Sequence, residues 1–438
     1  MKIASTGTLE HPYQQKENEE REQKRNFWIA VSQGTFIRIS FAFADSTTVL
    51  SAFIYKLTRS NTFVGLTGSI MSAGWMWPQL LISNLLEHRP RKMPFYILGM
   101  SIRTAAWLSI ALCTFLIGTR NDIFLALSFL CFYFIGASSM GISTLPYMDI
   151  ISKSIEPQRR ARFFSLRNFT GGICTVFIGF FVRYTLSEES GLIFPTNYAL
   201  LFGCNVLGVA IAFVIFLTLR EPIHPVQTKR RSLQQHLKQG PHLLRTDRNY
   251  RLFLLFRICT HTAGMCVPFY VPYALLRLGI PDSTVGLFLS VSAVSGVFSN
   301  ALWVYVGEKY GVRWILICTS AMACAAPLVA SSVRYLPTAW QVPSYFLIFA
   351  LNGPAMSGMM VGFMTYMINL APPLIRPTYL GFMNTVLFPF GFMPVIAGKL
   401  VGVISYEGIF TIAVGMGILG FLTATRLEDV SYEEDLAQ

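Results

Sequence analysis

Residues 83–92, Ser-Asn-Leu-Leu-Glu-His-Arg-Pro-Arg-Lys, form a short charged hinge between two long apolar runs, and the chain repeats it. The echo is Val304 to Arg313, Val-Tyr-Val-Gly-Glu-Lys-Tyr-Gly-Val-Arg, in which Glu308 falls 221 positions after Glu87. A second loop behaves the same way. Pro157-Gln158-Arg159-Arg160 leads on to Asn168, and Pro373-Leu374-Ile375-Arg376 leads on to Asn384, at an offset of 216. Two separate loops recurring at nearly one offset predict one architecture built twice, with a small insertion in between.

The runs flanking these loops set the environment. Hydrophobic residues make up 53% of the chain and charged residues 13%, with a mean hydropathy of +0.50, far too apolar for a water-soluble chain of this length. Crossing about 30 Å of hydrocarbon takes about 20 helical residues. Twelve such runs can be placed, from Phe27–Tyr55 and Thr62–Leu86 to Tyr379–Ile404 and Gly408–Thr425. They are continuous, without the two-residue alternation of barrel strands, so helices are predicted. The expected fold is an all-α polytopic membrane protein with twelve transmembrane helices, arranged as two six-helix bundles in parallel pseudo-repeat. Its parts are a polar tail at 1–26, a first bundle at 27–220, a basic linker at 221–250, a second bundle at 251–426 and a tail at 427–438.

The formal charge of +13 would suit nucleic acid, but its placement argues otherwise. With the amino terminus inside, Arg21, Lys24, Arg25, Arg89, Arg91, Lys92, Lys153, Arg159, Arg160, the linker arginines, Lys309, Arg313 and Arg376 all fall on that side. The opposite loops hold little beyond Lys56, Arg59, Arg120, Arg277 and Arg334. This asymmetry predicts cytoplasmic termini and contact with the anionic lipids of the inner leaflet, with no nucleic-acid partner. The polar tail reads as a flexible lead and not as a secretion signal, so the first helix is expected to serve as the insertion signal. Short loops suit a bacterial inner membrane. All eight cysteines fall within predicted helices and read as small packing residues.

Both copies of the charged hinge resemble the loop between the second and third helices of the major facilitator superfamily, roughly Gly-x-Leu-Ala-Asp-Arg-x-Gly-Arg-Arg. In the first copy Glu87 stands at the acidic position and Arg91 and Lys92 at the basic pair, while Ser83 and Pro90 replace the glycines. In the second, Glu308, Lys309, Gly311 and Arg313 fit, and Val304 and Val312 do not. The resemblance implies a secondary transporter, acting as a monomer without a cofactor, whose bundles rock about a central site. It implies that Glu87, Arg91, Lys92, Glu308, Lys309, Gly311 and Arg313 latch the cytoplasmic ends. Pro157, Arg160, Pro373 and Arg376 would mark the repeated loop. A non-transporting receptor or assembly scaffold of the same fold is the alternative.

Ionisable and amide residues within the spans are the candidates for the site, because such groups are costly in lipid and are retained where a cavity accepts them. Arg38 and Asp45 lie on one face of the first helix. Asp45 precedes Ser46, Thr47 and Thr48, so it either has a proton or substrate role or is structural, as the cap of a broken helix or the ion-pair partner of Arg38. Arg257 and His261 share a face of the seventh helix, and His261 is the one histidine inside a predicted span. Asn352 and Asn384 add amides near Gly-Pro breaks. Arg103 reads as half of a structural ion pair. A positive lining from Arg38, Arg257 and His261 predicts a small anionic or zwitterionic solute. No Walker loop, His-Glu-x-x-His, dinucleotide fingerprint or Gly-x-Ser-x-Gly elbow occurs, so an enzyme is not expected.

Overall fold

The computed structural model describes residues 12–87, 89–222, 241, 243–371 and 376–429. Among them, nine helical segments are long and apolar enough to cross a membrane. The order is α1 (Pro12–Phe43), α2 (Val49–Thr58), α3 (Asn61–Glu87), α4 (Met93–Ile117), α5 (Asp122–Ser154), α6 (Pro157–Leu186) and α7 (Thr196–Leu217) in the first half. The second half has α8 (Arg248–Ala263), α9 (Tyr270–Arg277), α10 (Thr284–Tyr310), α11 (Val312–Ser332), α12 (Thr338–Leu370), α13 (Arg376–Leu387) and α14 (Met393–Ala424). Most of the basic linker, Pro373 of the repeated loop and the last nine residues of the chain lie outside the described residues. Large apolar side chains such as Leu108, Leu112, Phe115, Phe177 and Val214 stand exposed on these helices. Stripes of that kind are tolerable only against lipid, and the chain is an integral membrane protein.

Helix boundaries follow local chemistry. The polar lead does not stop at Asn26 as a tail. Residues 12–26 carry no breaker after Pro12 and are rich in Glu, Gln, Lys and Arg, good helix formers, so α1 extends back to Pro12. The predicted first span breaks at residues 44–48, and the seventh breaks into a 3₁₀ turn at Gly264–Phe269, where Pro268 lacks the N–H that an α-helix needs. A similar turn at Phe388–Phe392 contains Pro389 and separates α13 from α14. Within α14 the backbone turns a corner at Ser405, with φ of 64°.

The two halves are joined mainly on the face away from the termini. One apolar cluster there draws Phe53, Phe129, Tyr198 and Phe202 from the first half together with Tyr270, Phe288, Tyr345 and Phe410 from the second. On the terminal face the cores separate. One is built on Tyr96, Tyr147, Phe163 and Phe216 of the first half. The other is built on Tyr250, Phe253, Tyr366 and Met383 of the second, with Met76 reaching across to it.

Small residues make the seam. A Cβ on Gly286 of α10 would lie 2.2 Å from the Gly179 carbonyl oxygen of α6, and a Cβ on Gly65 of α3 would lie 2.1 Å from the Pro394 carbonyl oxygen of α14. Between helices in lipid, where burial supplies no driving force, this close backbone approach and its hydrogen bonds supply the attraction. Ser290 donates to the Val176 carbonyl at 3.0 Å. Val395, whose N–H is in the first turn of α14 and has no helical acceptor, donates to Ser69 Oγ at 3.1 Å. Lys56 pairs with Asp282 across the same face.

Candidate functional site

Both halves begin with a helix that carries an arginine and then breaks. In the first half Arg38 lies six residues before the break at 44–48, and in the second Arg257 lies seven residues before the turn at 264–269. Asp45 organises the first break. Its Oδ1 accepts from the backbone N–H groups of Thr47 and Thr48 at 3.0 and 2.9 Å and from their hydroxyls at 2.6 and 2.9 Å. This carboxylate therefore satisfies the exposed donors at the start of α2.

Arg38 does not pair with Asp45. Its Nη2 donates to Asn168 Oδ1 of α6 at 3.0 Å. Beside it runs Arg167, whose guanidinium carbon lies 5.5 Å from the centre of the Tyr147 ring and whose Nε is buried without a partner. One turn away the Thr35 and Thr170 hydroxyls meet at 2.7 Å. Each helix makes room for the other's arginine with a glycine. A Cβ on Gly34 would stand 2.3 Å from Arg167 Cδ, and one on Gly171 would stand 2.6 Å from Arg38 Cβ. Reading the sequence alone did not select Arg167 as a site residue. The signal it carries is reciprocal spacing, Gly34 four before Arg38 and Gly171 four after Arg167, which has meaning only once the two helices are known to be parallel neighbours.

In the second half Arg257 lies over the Phe363 ring, 4.4 Å from its centre, with Nε buried and unpartnered. Four residues on, His261 has Nε2 buried without a hydrogen bond. Asn352 and Asn384 are partly buried, and among the described residues neither side chain makes a hydrogen bond. None of Arg38, Arg167 and Arg257 forms an ion pair with a described carboxylate. Arg103 is also unlike its expectation. It is buried with its guanidinium 4.6 Å from the centre of the Phe41 ring, and no described carboxylate pairs with it. A ring face offers partial negative charge without a second desolvated ion.

The residues of the charged hinges hold to their own halves. Arg91 and Glu308 are exposed. Lys92 is buried and donates to the Leu86 carbonyl, while its backbone N–H and that of Met93 donate to the Glu221 carboxylate at 2.7 and 2.9 Å. Lys309 donates to Tyr305 Oη at 2.8 Å and lies over the Tyr305 and Tyr310 rings. Gly311 has φ of 89° and a Cβ there would press on Asp429, and Arg313 donates to the Thr425 carbonyl. Arg160 closes the end of α5 by donating to the Ile155 carbonyl at 3.1 Å and to the Ser152 carbonyl, and Pro157 opens α6, where its missing N–H costs nothing. The side chains of Glu87, Pro157 and Arg376 lie outside the described residues.

Residues 252–436, most of the second half, match the sequence profile of the Major Facilitator Superfamily. Solved structures extend the match to the first half. A mutant of the nucleoside transporter NupG superposes with a TM-score of 0.71 at 13% identity, over 92% of this chain and all of that one. A D-xylose-proton symporter gives 0.68 at 14%, over 93% and 98%. The fold is that of the major facilitator superfamily. The xylose transporter XylE from E. coli, in its inward open conformation, gives 0.67 at 14%, over 94% of this chain and 97% of that one. No curated protein matches the sequence. In this superfamily fold the two asparagines at the repeat offset, Asn168 and Asn384, fall on the corresponding helices α6 and α13, so duplication places an amide in each half.

Proposed function

We propose that the chain is a secondary transporter that carries a small anionic or zwitterionic organic solute across a bacterial inner membrane by alternating access, with both termini in the cytoplasm. The observation that carries this reading is the set of three arginines, Arg38, Arg167 and Arg257, that lie within the bundles with no described carboxylate to neutralise them. Cations held at that depth lower the cost of bringing in a group of opposite charge. Separation of the two cores on the terminal face, against a shared core on the other, fits one of the two end states of a rocking carrier. The names of similar structures, a nucleoside transporter, a D-xylose-proton symporter and a POT family transporter, agree with carriage.

His261 is the proton carrier in this reading. A proton on His261 and an anion on Arg257, one helical turn away, favour one another electrostatically, so binding of either promotes the other. Asp45, engaged in the helix break, serves as structure. The lysines and arginines of the terminal-side loops hold the protein to anionic lipid. The test is uptake of radiolabelled metabolite pools into proteoliposomes under an imposed inward proton gradient. Accumulation that a protonophore abolishes, and that Arg257→Gln and His261→Gln both remove, is the expected result. Accumulation indifferent to the gradient and to both substitutions overturns the coupling scheme.

A further inference from the structure

We propose that the crossing of α1 and α6 is a binding site for a compact dianionic group of the phosphate-ester type, held by Arg38, Arg167 and Asn168. It rests on the reading that the protein's interior takes up an anionic solute, and it names the chemical class of that solute's charged end.

The site is made of donors. Arg38 donates to Asn168 Oδ1, which fixes the amide so that its Nδ2 faces away with two hydrogens to give. Arg167 brings a second guanidinium with an unpartnered buried Nε. Arg167 lies against Gly34 and Arg38 against Gly171, one helical turn apart on each helix, which puts both guanidinium side chains at the one crossing. Two like charges held side by side within a membrane bundle, with no described carboxylate between them, call for a partner of opposite charge. A monocarboxylate would neutralise one of them. A phosphate ester carries roughly two negative charges and three acceptor oxygens near neutral pH, which suits two planar guanidinium forks.

The shape is built for this pair. Gly34 and Gly171 each remove a side chain that would otherwise occupy the path of the opposing arginine, and the occupied distances of 2.3 and 2.6 Å leave no room for even a methyl group. Access comes from the seam between the halves. The exposed apolar stripe of α6 runs through Phe169, Ile173, Phe177, Phe180 and Tyr184, at spacings of three and four, and marks the lipid side. Asn168 and Gly171 lie on the other side of that helix, and Gly172 packs on Val297 of the second half. Arg38 is exposed at that position.

The test uses the purified full chain in an uncharged detergent near pH 8, with inorganic phosphate, sulfate and acetate as probes at constant ionic strength. Phosphate and sulfate are expected to raise the unfolding temperature saturably, and acetate is not. Arg38→Gln should raise the half-saturating phosphate concentration by about tenfold or more, as expected when one partner of a charge-assisted contact is removed. Because an arginine substitution can impair folding, Asn168→Asp is the second variant. It places a carboxylate beside Arg38, keeps or raises the unfolding temperature without ligand, and abolishes the phosphate response. A lipid arm adds phosphatidic acid or phosphatidylcholine in place of phosphate. A response to phosphatidic acid alone that is lost in Asn168→Asp assigns the phosphate group to a lipid headgroup, whereas a response to inorganic phosphate assigns it to a free solute. No saturable response to phosphate, sulfate or phosphatidic acid, or a phosphate response unchanged in both variants, overturns the site. Gradient-driven uptake without phosphate binding sinks this site and leaves the transporter reading standing. Phosphate binding without any uptake does the reverse.

Discussion

Replacing Gly286 with alanine should push the protein out of the conformation closed on the face away from the termini. The new Cβ would lie 2.2 Å from the Gly179 carbonyl oxygen, 2.3 Å from the Arg183 nitrogen and 2.8 Å from the Arg183 Cα. All three are backbone atoms, so no side chain can swing aside. An ordinary carbon–oxygen contact is about 3.2 Å, so α6 and α10 must separate by roughly 1 Å, and a gap of that size forfeits a quarter to a half of each contact's attraction. Overpacking of this kind costs about 1–3 kcal/mol. Each half stays packed within itself, so the penalty falls on the equilibrium between seam-closed and seam-open states. About 2 kcal/mol corresponds to a shift of roughly thirtyfold in population. Spin labels at the exposed positions Glu189 and Leu336, one in each half on that face, report the separation by pulsed electron resonance in a background lacking native cysteines. The distance distribution should lengthen in Gly286→Ala. It should stay unchanged in Gly203→Ala, where a Cβ meets nothing within 4 Å. An unchanged distribution in a folded Gly286→Ala protein would refute the role given to this seam.

Asp45→Ala removes the acceptor of four hydrogen bonds and should lower stability by about 1–2 kcal/mol, seen as a lower unfolding temperature, while Asp45→Asn, which keeps an acceptor oxygen, should retain most of it. Should Asp45→Asn keep the unfolding temperature and still lose gradient-driven transport, the aspartate titrates and is more than a cap. The Lys56–Asp282 pair joins the two halves with both side chains under a third exposed, at 27% and 29%. A double-mutant cycle on Lys56→Ala and Asp282→Ala should give a coupling of no more than about 1 kcal/mol, decreasing with salt. Glu221 accepts from the N–H groups of Lys92, just before α4, and Met93, its first residue, so Glu221→Ala should cost about 1 kcal/mol in thermal unfolding, and an effect on transport at unchanged stability would point to a gating role instead.

Much of the plan was legible from the chain alone, and the physical reason is that lipid admits few solutions. Long apolar runs must be helices because no water is present to satisfy a bare backbone. Glu87 with Glu308, and Arg160 with Arg376, revealed the duplication because loops between such helices keep their charges in register. The costly residues Arg38, Arg257 and His261 stood out for the same reason. What one dimension could not supply was partnership. Arg103, read as half of an ion pair, rests on the Phe41 ring, and Asp45, seven residues after Arg38 on the same face, bonds its own next turn instead. Arg167 carries no mark in its local sequence, since its meaning comes from Gly34, more than a hundred positions away. Composition and periodicity thus determined the membrane setting, the helices and the repeat, because each is a property of one segment and its surroundings. Only the folded arrangement decided which charges meet and which stand unpaired, because those depend on helix rotation and on where glycines let two backbones touch.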